Sequence, residues 1–230
     1  MKKFFFSLFA VIILFSANFS QTPPERDFQS WNDIQISFPL IKTKDKNDKE
    51  VEKLSFFVSG ALRFRQNMSR FADERIGAGF DIFVNKYLSL SPSYLYRAGQ
   101  PFAGRKGYEH RLRFDVNLEK KWSAFSIRDR NRIEYRIRNS RSDSARYRNR
   151  IQLRVPVKSE RKEIFTTFVG TEPFYDFQQK AWTRNELSAG INRKFSSNAS
   201  GDFYYMLQSN RGNVLKTINI IGVSLKFKID

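Results

Sequence analysis

The chain reads as all-β: a transmembrane, antiparallel up-and-down β-barrel of about 10–12 strands with a periplasmic C-terminus. Three observations predict this. The sequence opens with an export signal. Apolar and polar residues then alternate with a period of two, segment after segment. Many of these segments reach about a dozen residues, whereas strands in soluble sheets average about 5–6 and tilted membrane strands need about 9–11.

Met1, Lys2 and Lys3 precede an apolar run over 4–15, and Ser16, Ala17, Asn18 and Ser20 follow it. A basic start, an apolar stretch and a small, polar end are the parts of a secretory signal. The run is too short for a membrane helix, which needs about 20 residues. No clean Ala-x-Ala site is present, so we place cleavage near Ser20 and assign 1–20 to the signal; an uncleaved anchor is the other reading. The segment 21–53 holds a possible strand at 28–38 and a charged connector, and the barrel is expected over 54–230.

Within 54–230 the strands follow in order. Leu54, Phe56, Val58, Leu62 and Phe64 alternate with polar or small residues ending in Arg63 and Arg65. Ile76, Ala78, Phe80 and Ile82 oppose Arg75, Gly77, Gly79 and Asp81. Leu88, Leu90, Tyr94 and Tyr96 oppose Ser89, Ser91, Ser93 and Arg97. The cleanest case spans 108–118: Tyr108, His110, Leu112, Phe114, Val116 and Leu118 on one face, Glu109, Arg111, Arg113, Asp115 and Asn117 on the other. A strand separates such sets fully and a helix scatters them. Ile133, Tyr135 and Ile137 then oppose Arg132, Glu134, Arg136 and Arg138. Tyr147, Ile151, Leu153 and Val155 oppose Arg146, Arg148, Arg150, Gln152 and Arg154. Weaker alternation fills 163–171, 182–192 and 199–208, and Ile221, Val223, Leu225 and Phe227 oppose Ser224, Lys226 and Lys228.

Tight connections at 85–87, 119–123, 158–161 and 195–198 alternate with looser ones at 98–107, 139–145, 172–181 and 209–213, as expected of periplasmic turns and external loops. Tyr87, Trp122 and Trp182 sit near strand ends, where an interfacial girdle places aromatics. With 28–38 included, about eleven strand-like segments result, against the even numbers of bacterial single-chain barrels. Either ten strands begin near Leu54 and the Trp31 segment does something else, or one segment is merged or split.

The C-terminal run Gly222-Val223-Ser224-Leu225-Lys226-Phe227 resembles the signal read by the barrel-assembly machinery, with Gly222, Leu225 and Phe227 as its carriers. Ile220 stands where a polar residue is usual, and the chain continues to Asp230. Arg132-Ile133-Glu134-Tyr135-Arg136, Arg146-Tyr147-Arg148-Asn149-Arg150, Glu172 and Arg184-Asn185-Glu186-Leu187-Ser188-Ala189-Gly190 occur in that order. With the Trp31 segment and Arg75-Ile76-Gly77-Ala78-Gly79-Phe80, they resemble a bacterial family of predicted outer-membrane barrels, domain of unknown function twenty-four ninety. The resemblance spans nearly all of the mature chain, implies the fold and the bacterial outer membrane, and brings no activity or catalytic residue.

The formal charge is +18, and basic proteins usually meet phosphate. Export and strict alternation argue against nucleic acid, despite the arginine-rich tract 128–150. In a barrel the apolar face meets lipid, because Arg or Lys there costs about 2–4 kcal/mol near the midplane. Arg111, Arg113, Arg132, Arg136, Arg148, Arg150 and Arg154 should therefore line the lumen, with Glu109, Asp115 and Glu134 among them. We expect arginine forks and carboxylates to fill it in a structural or envelope-interacting barrel; the alternative is a small anion-preferring channel. Expected partners are outer-membrane lipid, lipopolysaccharide phosphates and, during biogenesis, the assembly machinery.

The chain has no cysteine, which removes disulfides, thiol catalysis and cysteine metal sites. Its one histidine, His110, falls in phase with Leu112 and Phe114 on the lipid side. No nucleophile motif accompanies it, so neither a cofactor nor catalysis is expected. A membrane-boundary lipid enzyme and a soluble periplasmic β-sandwich are the remaining alternatives.

Overall fold

The computed structural model describes residues 26–44, 48, 50–102, 105–139, 142–160, 162–211 and 216–229. The expected signal at 1–20 lies outside them. The described chain is a succession of strands: β1 (Arg26–Lys44), β2 (Glu50–Arg65), β3 (Arg70–Phe83), β4 (Leu88–Phe102), β5 (Arg105–Lys121), β6 (Ser126–Arg138), β7 (Ser144–Ser159), β8 (Lys162–Asp176), β9 (Ala181–Lys194), β10 (Ala199–Asn210) and β11 (Thr217–Lys228).

Each strand pairs antiparallel with the next, and β1 closes the barrel against β11. An odd meander returns its first and last strands in the same direction, so this seam must be parallel. It is, with Trp31 opposite Gly222 and Ser37 opposite Lys228.

Two expectations need correction. The barrel begins at Arg26 and not near Leu54, so the Trp31 segment is a full member of the wall, and the eleven strands fall within the expected range of about 10–12. Its alternation is veiled because two outward positions are polar: Asn32 Nδ2 donates to Ser30 Oγ at 3.0 Å. The charged connector is partly strand too, since Lys42 pairs with Glu52 and Lys44 with Glu50.

The division into tight and loose connections also fails. β4 continues to Phe102 and β5 starts at Arg105, while β8 runs on to Asp176, so strand occupies most of 98–107 and half of 172–181. Charged and small residues there read as loop, yet the hydrogen-bonded ladder simply extends through them: Arg97 pairs with Glu109 and Arg146 with Asp176.

The wall is inverted relative to a soluble protein. Ile76 is 60% exposed, Ile133 56% and Leu112 54%, while Glu134 and Glu172 are fully buried. Tyr87, Trp122 and Trp182 are exposed at strand ends. One polar island interrupts the outward face on β6 and β7. Asn149 Nδ2 donates to Asp129 at 2.5 Å and to Asn131 at 3.0 Å, and the Tyr147 hydroxyl donates to Asn131 at 2.5 Å.

Candidate functional site: the barrel interior

Period-two geometry sends alternate side chains of every strand inward, so the interior collects the polar half of the sequence. Its centre is organised by shared carboxylates. Glu172 on β8 accepts from Arg130 Nη2 at 2.8 Å, Arg148 Nε at 2.8 Å and Arg150 Nε at 2.6 Å. Glu134 on β6 accepts from Arg146 Nε and Nη2 at one oxygen, and its other oxygen lies 3.7 Å from Arg111 and 3.9 Å from Arg148. Glu109 on β5 pairs with Arg111 at 3.0 Å, Arg97 at 3.3 Å and Arg136. Arg97 also reaches Asp73, which holds Arg75 at 2.6 Å. Arg132 grips Asp115 with two bonds of 2.6 Å, the forked geometry that a guanidinium offers a carboxylate. These contacts cross from β3 to β8 without a break.

The predicted lining residues Glu109, Arg111, Arg113, Asp115, Arg132, Glu134, Arg136, Arg148, Arg150 and Arg154 all face inward. Among the described residues Arg113 donates to the Ser93 hydroxyl alone, at 3.2 Å, and buried Arg154 donates to Gln152 at 3.1 Å. Asp73, Arg75, Arg97, Arg130 and Arg146 belong to the same network. The alternation already placed most of them inward; nothing in spacing alone tells which carboxylate is shared.

Aromatic rings take part as well. Arg148 lies 4.2 Å from the ring centre of buried Phe174, and Arg63 lies 3.5 Å from that of Trp31. Guanidinium planes stack favourably on such faces. Around the seam the lining turns apolar: Trp31, Met206, Ile218 and Ile220 form a buried cluster with Tyr204 against it. Ile220 thus points inward into an apolar pocket. Gly222 leaves room beside it for the Tyr204 ring, which a Cβ at that position would displace. Leu225 alternates with these residues and faces outward, as does Phe227.

Inside this wall a cavity of about 800 Å³ remains. His110 lies on the outward face, with the Tyr94 hydroxyl 2.6 Å from its Nδ1 and the Tyr96 ring centre 5.3 Å away. Among the described residues no group of His, Cys, Asp and Glu is arranged to hold a metal ion.

A family model for a protein of unknown function, DUF2490, matches residues 28–217. The chain belongs to this family. The DUF2490 match starts within β1 and ends at the first residue of β11, so it takes in nearly the whole barrel. Comparison with curated proteins gave no match. Among solved structures, LpxR from Salmonella typhimurium is similar at 10% identity and a TM-score of 0.47, covering 82% of this chain and 86% of that one. The siderophore receptor PirA from Pseudomonas aeruginosa is similar at 14% identity and a TM-score of 0.32, covering 69% of this chain and 31% of that one.

Proposed function

We propose that this DUF2490 protein is an outer-membrane barrel with a structural or envelope-interacting role, its lumen bridged by arginines and carboxylates. The burial of Glu134 and Glu172 beneath arginines of neighbouring strands carries this reading. Ionised groups leave water only when well paired, and their bridges tie successive strands together. The apolar outward face supports insertion into lipid, and export supports the outer membrane over the inner one. The excess positive charge suits lipopolysaccharide phosphates at the barrel rims. His110, held among tyrosines on the lipid side, serves the girdle and not catalysis.

A second reading, a small anion-preferring channel, is favoured by the lining of the cavity. Among the described residues, fifteen Lys and Arg side chains face it against seven Asp and Glu. Conductance of the refolded protein in a planar bilayer separates the two, after a heat-dependent gel shift confirms folding. We expect a folded, silent barrel. Discrete anion-preferring openings that diminish when Arg132, Arg136, Arg148 and Arg150 are neutralised would favour the channel. Failure to fold into lipid would overturn both readings.

A further inference from the structure

We propose that the cavity is a binding site for a small polyvalent oxyanion of the phosphate class. The reason lies in how the carboxylates are shared. Glu172 holds Arg130, Arg148 and Arg150 at once, and only Arg148 has a second described carboxylate in reach, Glu134 at 3.9 Å. Glu172 itself is 1% exposed and sits behind them, while all three guanidinium groups face the cavity. Across the same cavity, and among the described residues, Lys226 on β11 has no carboxylate within salt-bridge distance and Arg113 on β5 donates to the Ser93 hydroxyl alone. Asp115 is taken by Arg132, while Asp81 and Asp202, hydrogen-bonded to Ser91 at 2.5 Å and Asn192 at 2.7 Å, keep their charge but make no salt bridge with Lys226 among the described residues. Among the described residues, cationic side chains outnumber carboxylates in the cavity lining, so an excess of positive charge gathers around one space. Several guanidinium forks at different angles suit a tetrahedral oxyanion better than a planar carboxylate or a bare halide. The site is a place of residence, independent of whether the barrel conducts.

The test uses the full mature chain refolded in phosphatidylcholine vesicles, with inorganic pyrophosphate as probe. Thermal unfolding is followed by the gel shift and binding by calorimetry, against potassium chloride at equal ionic strength. We expect a saturable rise in melting temperature with pyrophosphate beyond the chloride control. In Arg113→Gln/Lys226→Gln, which breaks no ion pair and should fold normally, pyrophosphate affinity should fall about tenfold or more. Arg150→Gln should lose binding further, with folding checked by the same gel shift. Stabilisation by phosphatidylglycerol vesicles without pyrophosphate, lost in the double variant, would assign the same site to a lipid headgroup. Equal responses to pyrophosphate in the double variant and the unaltered chain would overturn the proposal, as would a response no larger than that to chloride.

Discussion

The interior wall has two sectors built on opposite principles. From β3 to β8 it is held by charge: Asp73, Glu109, Glu134 and Glu172 bind arginines on the same and adjoining strands, and Glu172 reaches Arg130 two strands away. From β10 across the seam to β1 it is held by packing, with Ile220 completely buried among Trp31, Met206 and Ile218. The parallel seam is the one join that no hairpin supports, and it is where the lining becomes apolar. Parallel pairing is slightly less stable per residue than antiparallel pairing. An apolar plug behind that join supplies non-directional cohesion, which tolerates small shifts of register that a forked ion pair would not.

The contrast can be broken from either side. Glu172→Ala should have the largest effect, destabilising by about 3–5 kcal/mol, because Arg130, Arg148 and Arg150 lose their common acceptor in a buried site. Denaturant unfolding in vesicles, read by the gel shift, would measure it; a loss below about 1 kcal/mol would mean that water reaches those arginines. Ile220→Ala should cost about 2–5 kcal/mol through lost transfer energy and the cavity left behind. Unlike Glu172→Ala, its cost should be insensitive to salt, and that difference sharpens the distinction between the sectors. The smallest effect belongs to the rim. Lys44 and Asp48 lie 2.9 Å apart, but their side chains are 64% and 79% exposed. Lys44→Gln should change stability by about 0–1 kcal/mol in the same assay.

The charge-held sector was the legible one. On β5, Glu109 to Asn117 and Tyr108 to Leu118 separate without exception, so periodicity alone gave both faces. β8 was harder to read, since Phe168 and Phe174 point inward while Thr167 and Thr171 point outward. Inward phenylalanines make sense only once Arg154 and Arg148 are seen stacked on them. β11 is less regular for a related reason. Ile220 and Ile221 are adjacent and both apolar, because one meets the Trp31 cluster and the other the outside. The Trp31 strand is harder to read because Ser30 and Asn32 interrupt its outward face, and the even numbers usual in bacterial barrels leave its membership open in the sequence. Which arginines share Glu172 depends on side-chain reach across three strands, and no spacing along the chain encodes that.

The parallel seam also fixes where the chain can be cut and rejoined. In a barrel with an even meander the two ends leave the same mouth side by side, and a short loop can link them to make a permuted chain. Here β1 and β11 start at one mouth and finish at the other. A linker from Ile229 back to Arg26 would have to cross the full height of the wall, about 40 Å for twelve residues at about 3.3 Å each. Circular permutation, usually tolerated when termini are close, is therefore closed to this barrel unless a twelfth strand is added to carry the chain back.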